Sequence, residues 1–104
     1  MLSDPKWDDK VEVVLDEISL HLLRAVDYIE KHGWCQGTSF GPNDTVCIWG
    51  ALYRTKTDTR LYFKASNRLR QLIGDRSIPN WNDAKGRTKE EVIAKLREAA
   101  YLGK

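Results

Sequence analysis

Long apolar runs are missing from this chain of 104 residues: nothing in it approaches the ~20 consecutive apolar residues that a helix needs to cross a bilayer. The opening residues, MLSDPKWDDK, contain no basic region leading into an apolar stretch. A cytoplasmic protein without membrane contact is therefore expected. Cysteine is scarce, with Cys35 and Cys47 alone, and in a reducing compartment both should stay thiols. Histidine is equally scarce. A zinc site drawing on His21, His32, Cys35 and Cys47 fits no recognised spacing, and on one continuous helix the two histidines would stand ~16 Å apart along the axis. No metal and no cofactor are expected. Also absent are a glycine-rich phosphate loop, a paired-carboxylate signature and a Ser/His/Asp pattern, which counts against an enzyme. The net charge of +2 is too small to imply a polyanionic partner.

What is present is an ordinary globular composition, 41% hydrophobic and 31% charged, with no linker-like stretch, so residues 1–104 are read as one helical domain. The charges are segregated. Residues 1–32 hold eight Asp/Glu against four Lys/Arg, while residues 51–76 hold seven Lys/Arg against two Asp. An all-α fold of about four helices is expected. The first would start at Ser3, Asp4 and Pro5, with a kink near Asp8 to Lys10, and end at Gly33, its apolar arc including Trp7, Val11, Leu22, Val26 and Ile29. Asp9, Glu12, Asp16, Asp27 and Glu30 form an acidic outer stripe. Residues 34–45 read as an irregular loop, with a short hairpin around 34–48 as the alternative. VCIWGALY, residues 46–53, is apolar all round and fits a short central helix, where Gly50 and Ala51 would let a neighbouring helix approach.

The third helix should run from Asp58 to Ile73 and stop at Gly74. Its outer face carries Arg60, Lys64 and Arg68 at intervals of four, with Phe63 turned away from the apolar arc and Arg54, Lys56 and Arg76 near the helix ends. SIPNWNDAKG reads as a turn-rich connection. In TKEE, residues 88–91, a capping box begins a last helix over about 89–102, with Val92, Ile93, Leu96, Ala99 and Ala100 inward.

The stretch HGWCQGTSFGPNDTVCIWGALYR, residues 32–54, holds both cysteines, two of the four tryptophans and four of the seven glycines. It is either an active site or a folding device. As a site, Cys47 would be a nucleophile after the Asn/Asp/Thr turn, with His32 as base and Asn82 or Asp83 orienting it. Against this, a cysteine inside an apolar helix is usually an inert small hydrophobe, and no catalytic residue is assigned. As a binding pocket, Trp34 and Trp81 would form the floor, with Gln36, Asn82 and Asp83 as polar contacts for a small ligand to be sensed. As a folding device, the tryptophans would plug the two ends of a small core while Asn82 and Asp83 satisfy loop N–H groups, and a domain of this size favours that reading.

HGWCQG, VCIWGAL and SIPNWNDAKGRTKEEVIAKL, in that order and at that spacing, resemble an uncharacterised family of small proteins encoded by bacteria, notably actinobacteria, and by their phages. The resemblance covers the chain from about Arg24 onward. It implies a helical prokaryotic or phage protein, resident in host cytoplasm if phage-encoded, and no activity. The basic third helix and the acidic lead-in are less like the family than the motif blocks are. The expected function is that of a non-enzymatic accessory protein that binds another protein through Arg60, Phe63, Lys64 and Arg68. Nucleic-acid binding through the same basic helix is the alternative.

Overall fold

The computed structural model describes residues 16–74 and 77–102. Five α-helices, α1 (Glu17–His32), α2 (Ile48–Arg54), α3 (Thr59–Ile73), α4 (Ile78–Asn82) and α5 (Lys89–Leu102), surround one hydrophobic core, and no strand occurs among the described residues. The fold is all-α. Helix α1 packs on α5, α2 and α3, while α4 packs on α2 and α3. Its inward residues Leu22, Ala25, Val26 and Ile29 are fully buried, as the spacing predicts.

Local signals account for most of the boundaries. Asp58 caps α3 through the Arg60 N–H at 2.7 Å, and Gly74 ends it in the left-handed conformation at φ 71°. The capping box is formed at the start of α5: the Thr88 N–H donates to Glu91 Oε1 at 3.0 Å and the Glu91 N–H to Thr88 Oγ1 at 3.1 Å. All five residues expected inward on α5 are buried.

Two expectations need correction. The helix that ends at Gly33 starts at Glu17, with Asp16 as its N-cap accepting from the Ser19 N–H at 2.8 Å; the starting signal at Ser3 to Pro5, the kink at Asp8 to Lys10, arc residues Trp7 and Val11 and stripe residues Asp9 and Glu12 lie outside the described residues, as does Arg76. Asp16 becomes a cap because Arg68 of α3 holds its other oxygen at 3.0 Å, a partner 52 residues away that no local pattern reveals. The Ser19 N–H and then Arg68 stabilise the ionised carboxyl, which titrates at about 2 instead of 3.8. Second, SIPNWN is not merely a turn. Ser77 accepts from the Asn80 N–H and Pro79 occupies the first turn, so α4 forms with ordinary start signals over a single turn. The segment 34–47 is an irregular loop, as expected, and not the alternative hairpin. It folds on itself through two isolated bridges, Trp34 with Val46 and Phe40 with Val46.

Helix α2 has seven residues, too few to be stable by itself. It survives because both ends are capped from elsewhere in the chain. At its start the Ile48 N–H donates to Asn82 Oδ1 at 3.2 Å. At its end His21 Nε2 donates to the Leu52 carbonyl at 2.8 Å, and Arg24 Nε donates to the Thr55 carbonyl at 3.3 Å.

His21 is completely buried, with Nδ1 lacking any partner. Burial pushes its pKa below the ordinary 6.5, with Arg24 adding to the same direction and the Leu52 bond opposing it. A histidine whose folded pKa is depressed contributes stability above its unfolded pKa and loses it as the pH falls through that value. The urea midpoint should therefore decline as the pH drops below 6.5. His21→Gln, which cannot titrate, should show a flatter profile there; an unchanged slope would mean that the acid sensitivity arises elsewhere.

Candidate functional site

The residues proposed from sequence as a pocket do converge, and they converge on one another. Asn82 is fully buried and uses all four of its hydrogen-bonding positions. Its Oδ1 accepts from Trp34 Nε1 at 2.7 Å and from the Ile48 N–H at 3.2 Å. Its Nδ2 donates to the Cys35 carbonyl at 3.2 Å and to Asp83 Oδ1 at 2.9 Å. Asp83 Oδ1 also accepts from the Gly37 N–H at 2.9 Å. Gln36 Nε2 donates to the carbonyls of Asn82 and Ala84, at 3.0 and 3.1 Å. Arg87 lies over the Trp81 ring, 3.7 Å from its centroid, and donates through Nε to the Trp81 carbonyl. The two tryptophans thus stand at one junction between the 33–47 loop and α4, not at opposite ends of the core. The buried amide of Asn82 is fully matched inside the protein, and the cluster acts as a latch.

Glycine makes the latch fit. Ser39 sits against Gly50 so closely that a Cβ there would lie 2.1 Å from the Ser39 carbonyl oxygen. The neighbour that needs the small residue is this loop backbone, not the helix expected from the Gly-Ala pair. The same carbonyl accepts from the Cys47 N–H at 3.2 Å, pinning the loop to the start of α2.

Both cysteines are free thiols. Cys47 is 4% exposed and is itself the N-cap residue of α2 without a side-chain capping bond. Burial raises its pKa above the ordinary 9.0, the reverse of what an activated nucleophile requires. No group of three or more His, Cys, Asp or Glu side chains among the described residues could hold a metal ion. An open groove between α1 and α5 is lined by Glu30, Lys89, Glu90, Ile93, Ala94 and Arg97, and there Arg97 already pairs with Glu30 at 3.1 Å.

The outward residues of α3 divide. Arg68 is mostly covered: it donates to Ser19 Oγ at 2.9 Å and pairs with Asp16, so it joins α3 to the start of α1. Arg60, Phe63 and Lys64 are exposed. Phe63 belongs to a larger surface that sequence reasoning missed. Its ring lies 5.3 Å from that of buried Tyr62, Tyr62 lies 6.1 Å from Tyr53, and Tyr53 lies 6.1 Å from Phe40. Half-buried Trp49 adds a fifth ring, 5.5 Å from Tyr62. Phe40, Tyr53 and Phe63, from the loop, α2 and α3 respectively, are 43%, 51% and 52% exposed. Arg54 lies over the Phe40 ring at 4.7 Å and Lys56 over the Tyr53 ring at 5.1 Å. The available signal was three aromatic residues on separate elements, and only the folded loop brings Phe40 to the other two.

Residues 14–102 match the family described as "Family of unknown function (DUF6197)", and the chain belongs to that family. No curated protein and no solved structure matches it. Among the described residues no helix is long and apolar enough to cross a membrane.

Proposed function

We propose that this chain, as a member of that family of unknown function, is a non-enzymatic accessory protein that acts by binding another protein through the face of Phe40, Tyr53 and Phe63. The observation that carries the reading is the exposure of three large aromatic side chains from three elements, in one run of ring contacts around Tyr62. Aromatic residues and arginine are the types enriched at the centres of protein interfaces, because they bury much area at low entropic cost. The latch at Asn82 supports the face indirectly by holding the loop that carries Phe40. The resemblance to small bacterial and phage proteins adds an expected setting, the prokaryotic or host cytoplasm.

Nucleic acid is less well served by this surface. Arg68, the third member of the basic row, is engaged with Asp16 and Ser19. A base stacks on an open ring face, yet Arg54 and Lys56 already lie over Phe40 and Tyr53, and the two rings meet edge to face at 70°.

Affinity capture from a lysate of the source cells tests the proposal. The wild-type chain should retain a specific protein that the double variant Tyr53→Ser, Phe63→Ser does not, with both proteins equally folded by circular dichroism. Identical protein bands for the two would remove the face from consideration.

A further inference from the structure

We infer that the partner segment recognised by this face is acidic and carries apolar side chains between its carboxylates. The inference rests on the protein-binding reading and adds the chemistry of the partner. Residues 53–64, YRTKTDTRLYFK, contain four basic residues and one acidic residue, Asp58. Asp58 is occupied by its capping bond to the Arg60 N–H. Among the described residues, Arg54, Lys56, Arg60 and Lys64 have no ion-pair partner, whereas Arg68, Arg87, Lys95 and Arg97 each meet a carboxylate within 4.0 Å elsewhere on the molecule. Arg24, Lys31, Arg70, Lys85 and Lys89 are likewise without an ion pair among the described residues; what sets residues 53–64 apart is that four such cations cluster beside exposed rings, with Arg54 over Phe40 and Lys56 over Tyr53.

Desolvation then decides the sign of the partner. In water an unpaired lysine or arginine at the surface costs nothing, but covering it with a neutral or basic surface strips its hydration without replacement. A partner that buries Phe40, Tyr53 and Phe63 must also cover the cations laid over and between them, so it needs carboxylates at those places. It needs apolar groups as well, because the rings supply most of the buried area. Arg60 and Lys64 are four residues apart on α3, one on each side of Phe63 along the helix, so an acidic–apolar–acidic order in the partner matches the order presented. Such complementarity chiefly accelerates encounter and rejects wrong partners, and both effects weaken as salt rises.

Selection of a random peptide display library on the immobilised full chain, alongside selection of a random single-stranded DNA library, tests this. The enriched peptides should be rich in Asp and Glu with interspersed Leu, Phe or Trp, and should not be enriched on Tyr53→Ser, Phe63→Ser. The best of them, made synthetically, should bind at least about tenfold more weakly to Arg60→Glu, Lys64→Glu, the scale expected when close charge pairs are reversed. Tyr53, Arg60, Phe63 and Lys64 are all exposed, so these variants should fold, and their melting temperatures check that they do. Peptides that depend on the aromatic face but are neutral or basic would overturn the acidic partner and leave the protein-binding reading in place. No peptide that depends on the face would overturn both, and DNA enriched in a face-dependent way in that case would put single-stranded nucleic acid in the partner's position.

Discussion

Asn82→Asp should be among the most damaging single substitutions in this protein, lowering its stability by roughly 3–5 kcal/mol near neutral pH, as expected for breaking a buried polar network and leaving its members unpaired. The change preserves the shape of the side chain and its two acceptors, so the Trp34 and Ile48 N–H groups would keep their bonds. What it removes is the donor. A second oxygen would then face the Cys35 carbonyl, 3.2 Å away, and Asp83 Oδ1, 2.9 Å away. Ionised, it would be a buried negative charge beside another carboxylate; protonated, it would recover one of the two donations. The loss should therefore shrink as the pH falls into the carboxylate range, opposite in sign to the acid sensitivity expected from His21 in the wild type. Urea denaturation of both proteins at neutral and mildly acid pH checks the magnitude and the sign together. A loss that does not depend on pH would mean that the new carboxyl is hydrated, and that the junction is more open than its hydrogen bonds imply.

Gly50→Ala should destabilise the protein by about 3 kcal/mol or more, beyond the usual range for overpacking because the obstacle is backbone. Intrinsic helix propensity argues the other way: alanine in place of glycine inside a helix ordinarily gains about 1 kcal/mol. The two effects have opposite signs, and geometry selects between them. The added methyl carbon would stand 2.1 Å from the Ser39 oxygen, 3.0 Å from its carbon and 3.2 Å from Val46 Cβ. Ser39 cannot simply retreat, since its carbonyl holds the Cys47 N–H. Relief requires the loop to lift from α2, and the loop carries both Phe40 and the Gln36 and Gly37 contacts to α4. A thermal melt decides: a higher melting temperature than wild type would show that the loop gives way cheaply.

Both predictions concern the cysteine- and glycine-rich stretch at residues 32–54, where the choice between site and folding device was sharpest. Periodicity was enough to place the inner faces of α1, α3 and α5, because an amphipathic stripe is local and repeats over three or more turns. The caps at Asp58, Gly74, Thr88 and Glu91 were legible for the same reason: each is set by residues within four positions. The role of Asn82 and Asp83 in satisfying loop N–H groups was also readable, since Asn and Asp do this wherever a loop turns. Their partners were not, because Trp34 lies 48 residues from Asn82. Distance along the chain also hid the start of α1, where Asp16 is fixed by Arg68, and it hid Arg68 itself, which by spacing belongs to an exposed basic row and in the fold faces α1. The aromatic face was the largest omission. Phe63 was identified as outward by its angle on α3, but Tyr53 fell inside an apolar run and Phe40 inside an irregular loop. Their meeting depends on the latch and on the close passage at Gly50.

The Asn82 junction is buried whereas the rings of Phe40, Tyr53 and Phe63 are exposed, and the urea midpoint measures most directly how differently the two bear on the fold. Asn82→Asp should lower the midpoint by a large fraction of its wild-type value, while Tyr53→Ser, Phe63→Ser, which alters only exposed rings, should leave it within a few tenths molar of wild type, the shift expected for surface changes of roughly 0.5 kcal/mol. The reverse result, a wild-type midpoint for Asn82→Asp with a collapse of the aromatic variant, would contradict the account, returning the Trp34–Asn82 junction to candidacy as a ligand site and making the aromatic face part of the core.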